Sequence, residues 1–533
     1  VEPVAVQRSW AGTLLACGNS GGRLQIVHNP CPNRAGYVGS TGHAGAVSQV
    51  GWLPGDGTII TIGNKDHCIF QWKVVFDEVR ESGEEGGVDC EDSEVERDAG
   101  HEVKDSAIQR VTDNYGKVPL WHSSITPPSD IQEEELVPPK TAPRTAFVHG
   151  IRSGDVRNNL QYNGDGHVVY TSSTYGIVFD RDEQEQRIYE GHTAAVISLA
   201  VDHSGRVAAS GDLQASAQLH FWDARTAQPL KSFVGLHRRG ITSLAFSNSS
   251  EYLVSLGQDV MSSIVVLRSP TRFWSDAVVV CSTSVSARKM LFVSYVESNT
   301  FPIVVGGNKC IYFFRNQGRT LERVRGTFGK QKKIQPILCG CEGEEVSEGQ
   351  RQVLTGTVTG HIYAWVNHKV SFTVTAHDAP IYAIARLNRG YATAGKDSIV
   401  KLWSNKLQLV HTYNMQSFKP VPYSLPCHAL CVNSIFTRLS VGLRSGEIYE
   451  VALPTHSRQL IIEGHSYREL HAVSPNPQIG DEYATCGDDG ILRIWSYGLN
   501  RCLRRVDVEA ASRAIAYSPD GKYIVVGLGG DPT

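Results

Sequence analysis

"GHTAAVISLAVDHSGRVAASGDLQASAQLHFW" occupies residues 191–222. Two alternating runs, "AVISLAV" and "AQLHFW", flank a stretch of small residues, "VAASGD", and each reads as a strand with apolar side chains on one face. The stretch opens on Gly-His, carries Asp in a turn and ends in Trp. The same layout returns as "GHAGAVSQVGW…TIGNKDHCIFQW", "AHDAPIYAIAR…TAGKDSIVKLW" and "GHSYRELHAVS…TCGDDGILRIW". The His-to-Trp separations are 29 (His43 to Trp72), 30 (His192 to Trp222), 26 (His377 to Trp403) and 30 (His465 to Trp495). A unit repeated at fixed spacing buries its apolar face only by stacking on neighbours, so this recurrence decides the architecture.

The layout resembles the WD40 repeat, which supplies one four-stranded blade of a β-propeller. Degenerate copies fill the gaps: "GLHRRGITSLAFSNSSEYLVSLGQDVMSSIVVL" ends in Leu267 where Trp is usual, and "FPIVVGGNKCIYFF", "VLTGTVTGHIYAW" and "LSVGLRSGEIYEV" keep the small-residue strand and the final strand. The fold class expected is therefore all-β, with propellers in tandem. The recurrent His43, Asp66 and Trp72, His192, Asp212 and Trp222, His377, Asp397 and Trp403, and His465, Asp489 and Trp495 invite a catalytic reading. A buried polar network is stable only when its members satisfy one another, and four copies of one constellation are more economically structural.

Bulk properties set the remaining bounds. A chain of 533 residues exceeds one ordinary core, which suits repeats. The net charge of −3 hides an uneven distribution: residues 77–140 carry 18 acidic and 6 basic side chains, leaving 45 basic against 36 acidic elsewhere. That acidic stretch, with few large apolar residues, reads as a flexible linker. No apolar run approaches the roughly 18 residues of a membrane span. The 12 cysteines stand mostly alone in apolar stretches and suggest a reducing compartment rather than a disulfide scaffold. H-E-x-x-H and P-loop motifs are missing, as is a basic-aromatic strip for nucleic acid, and the one G-x-S-x-G string, "GNSGG" (18–22), joins two strand-like runs rather than forming the strand-to-helix turn of a nucleophile elbow. No catalytic residue, metal site or cofactor is expected, and neither a membrane nor a nucleic acid as partner.

Residues 146–198 sharpen the reading. "VHGIRSGDVRNNLQY" (148–162) gathers Arg152, Asp155, Arg157, Asn158 and Asn159 ahead of strand-like segments. "SGD" is turn chemistry: Gly154 is free to take a positive φ, Asp155 can pair with a flanking arginine, and the asparagines can bond backbone. The run resembles the HELP motif of the echinoderm microtubule-associated protein-like family, with matches at Val148, Gly150, Arg152, Asp155, Arg157, Asn159 and Leu160. It departs at Ile151, where an aromatic is usual, and at Ser153, where glycine is usual. The resemblance implies a blade-forming segment that joins two propellers, in a long multi-unit member of the family. The expected division is closing blades of a preceding propeller (1–76), acidic linker (77–145), HELP segment (146–190), WD40 propeller (191–463), and blades of a second propeller ending mid-blade (464–533).

The same resemblance implies association with tubulin and microtubules as a scaffold or stabiliser. It places the protein in the cytoplasm and cytoskeleton, and by analogy in the ciliary axoneme with other axonemal partners. Tubulin is acidic, so contacts should be basic loops at the start of blades. "GLHRRGI" (Arg238, Arg239) and "GTFGKQKKI" (Lys330, Lys332, Lys333) are the candidates. A WD40 adaptor for a non-cytoskeletal complex is the competing reading.

Overall fold

Small side chains on the second strand of each repeat decide how closely the sheets stack. Every residue of the strand Val207–Asp212 is buried, whereas the outermost strand of the same sheet, Pro229–Val234, alternates exposed and half-buried positions. Such a sheet is covered on both faces near its inner edge and wetted at its rim, as stacking around an axis requires. A Cβ added to Gly211 would lie 2.6 Å from the Cβ of Ile241 on the next sheet. Overpacking of that kind costs about 1–3 kcal/mol, so the strand stays small.

The computed structural model describes residues 3–31, 35–64, 66–76, 137–317, 320–329, 333–418, 425–465 and 469–529. Among them, strands form ten four-stranded sheets and one two-stranded sheet, all antiparallel, with no α-helix. In chain order, sheet 1 spans 3–41, sheet 2 combines 47–76 with 141–149, and sheets 3 to 6 span 160–189, 196–234, 241–284 and 290–325. Sheets 7 to 11 span 337–375, 381–414, 427–462, 470–507 and 512–528. Of the acidic segment, residues 77–136 lie outside the described residues.

The innermost strands of sheets 3 to 9 neighbour one another in turn, and Cys427–Val432 of sheet 9 lies against Leu160–Tyr162 of sheet 3. These sheets close a ring, an all-β propeller. Because strand direction alternates, the connections between sheets and the turns between second and third strands share one face, here the loop face. The remaining turns share the opposite face.

Sheets 1, 2, 10 and 11 form an arc beside the ring, with sheet 10 between sheets 2 and 11. Three points differ from the sequence reading. The strand Thr141–His149 of sheet 2 runs across the expected boundary between linker (77–145) and HELP segment (146–190), because its alternating residues pair with the strand Ile69–Phe76. The ring starts at residue 160 rather than 191, because Leu160–Tyr189 is a complete sheet. The two ends of the chain, read as parts of different propellers, are neighbours. Leu53, Ile60, Ile62 and Ile69 pack with Leu470, Val473, Tyr483 and Trp495. Gln71 Nε2 donates to Tyr483 Oη at 3.0 Å, and Ser48 Oγ to the Leu470 carbonyl at 3.2 Å across 422 residues of chain. Local periodicity carries no trace of a pairing so distant in sequence.

Candidate functional site: the joint and the loop face

The repeated histidines, aspartates and tryptophans meet as networks, each centred on a hydroxyl. His43 Nδ1 lies 2.9 Å from Asp66 Oδ2 and its Nε2 lies 2.8 Å from Thr61 Oγ1, which also accepts the Trp72 indole N–H at 2.8 Å. Ser210 serves His192 and Trp222 at 2.7 and 3.0 Å, and Thr393 serves His377 and Trp403 at 2.8 and 2.9 Å. His192 and Asp212 are 3.4 Å apart, and His377 and Asp397 are 2.8 Å apart. Burial alone pushes the Asp66 carboxyl up, but His43, Ser173 and the Ala44 amide together hold it well below the carboxylate range. The fourth network departs: Asp489 pairs with the fully buried Arg493 at 2.7 Å and stands 3.9 Å from His465, while Trp495 donates to Thr485 at 2.7 Å. The degenerate repeat at His237 keeps Asp259 at 3.3 Å and Ser255 at 2.8 Å, with Leu267 in the tryptophan position.

The strand Thr141–His149 is the outer strand of sheet 2, and after a ten-residue loop the chain begins sheet 3. That loop, 150–159, runs along the loop face at the joint of arc and ring. Its positive φ values fall on Gly150 (97°) and Asn158 (57°), not on Gly154 as the "SGD" turn suggested. Gly150 is fixed by its positive φ rather than by crowding, since an added Cβ would lie 3.7 Å or more from its neighbours. Arg152 holds Asp155 with two bonds, Nε at 3.0 Å and Nη2 at 2.8 Å. Asn159 is fully buried and donates to the Arg152 carbonyl at 2.7 Å and to Thr171 Oγ1 at 3.0 Å. Arg157 takes no part in the Asp155 pair; its guanidinium lies 4.9 Å over the Tyr382 ring. The amides of Ile151 and Asn158 donate to the carbonyls of Gly446 and His428 at 2.9 and 3.1 Å, tying the loop to sheet 9. His428 beneath it is pushed down to about 4, by burial first and then by Arg157.

Residues 155–158 also cover one mouth of the ring's central channel, a cavity of about 310 Å³ lined by the innermost strands, among them Gln161, Ser198, Ser243, Phe292 and Leu430. Around that mouth, on the same face, stand exposed Arg238 and Arg239 before sheet 5, Arg288 and Lys289 before sheet 6, Lys309 in its central turn, and Lys333 before sheet 7. Lys330 and Lys332 lie outside the described residues. Exposed carboxylates on the face are Asp155 at the mouth, which is paired with Arg152, Glu190 before sheet 4 and Asp378 before sheet 8.

Comparison with known proteins bears on this geometry. The family described as "Echinoderm microtubule-associated protein first beta-propeller" matches residues 185–450, and "WD domain, G-beta repeat" matches 456–496. The chain is 25% identical over 404 residues to human "Echinoderm microtubule-associated protein-like 2", covering 72% of this chain and 58% of that one. It is 24% identical over 464 residues to the "77 kDa echinoderm microtubule-associated protein" of Lytechinus variegatus, covering 81% and 65%. The chain belongs to the echinoderm microtubule-associated protein-like family. It spans from about half to just under two thirds of the length of these relatives, with 46% of human "Echinoderm microtubule-associated protein-like 1" covered. A solved propeller domain, Myceliophteria_thermophila Cps50 (Swd1), is similar at 15% identity and a TM-score of 0.42, covering 56% of this chain and 95% of that one.

In this member of the family, closure of the ring depends on residues that sequence reasoning passed over. Each sheet is built from consecutive strands, so no strand is shared between the first and last sheets of the ring. Side chains close it instead: Tyr162 Oη donates to Glu450 Oε1 at 2.6 Å and accepts from Ser440 at 2.6 Å, and Arg181 pairs with Glu450 Oε2. No motif flags Glu450; only its placement within an otherwise apolar strand, "IYEVA", hinted at a buried partner.

Proposed function

We propose that this chain is a microtubule-associated scaffold that docks on tubulin through the loop face of its ring. The family supplies the partner, and the carrying observation is the concentration of exposed basic side chains on three adjacent sheets of one face. Arg288, Lys289 and Lys309 join the Arg238, Arg239 and Lys333 that the sequence singles out. An acidic lattice meets such a face with favourable long-range attraction, strongest at low salt. Residues 146–190 act as the HELP segment, fixing the arc beside the ring so that a chain can present several weak contacts at once. A stable polymer such as the axoneme of a cilium is the setting that such repeated docking suits. The scaffold is not an enzyme, and its recurrent histidines and aspartates are consumed in holding turns.

The test is co-sedimentation of the full chain with microtubules across a salt series. Arg238→Glu with Arg239→Glu, and separately Arg288→Glu with Lys289→Glu, should each reduce the bound fraction severalfold at low salt. Binding by both variants equal to that of the parent chain would rule out the loop face.

A further inference from the structure

On the face opposite those loops, a groove of about 660 Å³ runs between sheets 4 and 5. Its far wall is the loop 269–276, which joins the last two strands of sheet 5 and is unusually well tied. Trp274 is fully buried, stacks on Phe221 at 4.6 Å and donates its indole N–H to the Ser250 carbonyl at 3.2 Å. Asp276 accepts from Ser269 Oγ at 2.5 Å and from the Thr271 amide at 3.3 Å. Arg272 and Trp274 both have φ near 64°, a left-handed conformation that costs non-glycine residues free energy and persists only where the surroundings fix it. The product of this anchoring is Phe273, held outward with 66% of its surface exposed. Val207 and Leu230 give the groove an apolar floor, and Arg206 and Arg272 rim it.

The charges of the groove are unbalanced. The carboxylate among its lining residues, Asp223, accepts from the amides of Arg225 and Thr226 at 2.8 and 2.9 Å, Asp276 of the wall loop is engaged by Ser269 and Thr271, and Arg225 itself pairs with Asp165 at 2.6 Å. Neither Arg206 nor Arg272 has a carboxylate partner among the described residues. An immobilised aromatic beside two unpaired guanidinium groups over an apolar floor is the arrangement of a peptide anchor site.

We infer that this groove docks a second partner, through an extended peptide segment in which an apolar side chain is flanked by carboxylates. The apolar side chain packs on Phe273 and Leu230, and the carboxylates take Arg206 and Arg272. The site faces away from the loop face, so it stays open whichever partner the loops engage, and its failure leaves the microtubule reading untouched.

The probe is an array of short fluorescein-labelled peptides, each with Leu, Phe, Met or Tyr between glutamates, titrated into the full chain by fluorescence anisotropy. At least one member should bind. Phe273→Ser should weaken it about tenfold, as should Arg206→Glu with Arg272→Glu, and so should alanine at the apolar position of the peptide. Arg238→Glu with Arg239→Glu, on the opposite face, should leave peptide binding unchanged. Because Phe273 and the arginines are exposed, melting temperature should stay constant in every variant. The inference is overturned if no member of the array binds, if loop-face and groove variants weaken binding alike, or if single-stranded oligonucleotides bind the groove residues more tightly than any peptide.

Discussion

The joint between ring and arc shows how unequal neighbouring interactions are. The Arg152–Asp155 pair has good geometry, but Asp155 is 59% exposed, and water and salt leave such pairs worth no more than about 1 kcal/mol. Asn159, buried with two donated bonds, is the stronger tie by the cost of stranding a buried amide. His428 adds a dependence on pH. Its folded-state value, about 4, lies below the ordinary 6.5 for histidine. Between those values the unfolded chain takes up a proton that the folded chain does not, so stability falls as pH drops from about 6.5 towards 4. The loss is at most about 3 kcal/mol from this group. Asp66 acts in the same direction in a lower window, since its carboxyl is held below the usual range and its contribution disappears only in stronger acid. Urea melts at pH 7.0 and 5.0 should therefore show a smaller pH difference for His428→Leu than for the parent chain; equal differences would remove His428 as a source. Sequence made the His, Asp and Trp positions legible at this scale because they recur. It hid the Thr61, Ser210 and Thr393 hydroxyls, since serine and threonine are ordinary in small-residue strands.

At the scale of elements, the sheets were readable and their closure was not. Alternation, a small second strand and a terminal Trp specify a four-stranded meander wherever they occur, and even the degenerate repeats fold as such. Closing a ring is a different matter, because it depends on which sheet the last one meets. Here that contact joins apolar packing of Leu160 with Ala429 and Ile448 to a buried polar set: Glu450 receives Tyr162 and Arg181, and Ser440 donates to Tyr162. Burial pushes the Tyr162 hydroxyl upward and keeps it a proton donor to the carboxylate. Removing the carboxylate strands the buried phenol and leaves the half-buried Arg181 with only its exposed partner Asp182, so Glu450→Ala should cost about 1–3 kcal/mol in chemical denaturation. A methionine there restores volume without charge and should remain nearly as destabilising, because the Tyr162 hydroxyl stays buried without its acceptor. A change below about 0.5 kcal/mol in either variant would show that apolar packing alone closes the ring.

At the scale of the whole molecule, the joint is continuous with the core. One apolar cluster runs from Ala16 and Trp52 of the arc, through Phe147 and Val148, to Tyr170, Ala429 and Ile448 of the ring. The strand Thr141–His149 completes sheet 2 while Gln186 of sheet 3 bonds both the amide and the carbonyl of Val148, at 2.8 and 2.9 Å. Ring and arc are thus coupled through this strand and through direct bonds between the two, Ser173 Oγ to Asp66 and Thr174 Oγ1 to the Gly42 carbonyl, both at 2.7 Å. The arc has a second dependence that the sequence did not reveal, since Ile60, Ile62 and Ile69 of sheet 2 are covered by Leu470, Tyr483 and Trp495. Removing residues 466–533 uncovers that apolar surface, at roughly 25 cal/mol per Å² of lost burial, while every sheet of the ring keeps both neighbours. Hydrogen exchange should then quicken in 47–63 and 141–149 but not in the middle strands of sheets 5 to 8, and dye binding to exposed apolar surface should rise. Unchanged protection of the strand Thr58–Gly63 in the shortened chain would mean that sheet 2 is held by the ring and sheet 1 alone, and that the two ends of the chain meet without stabilising each other.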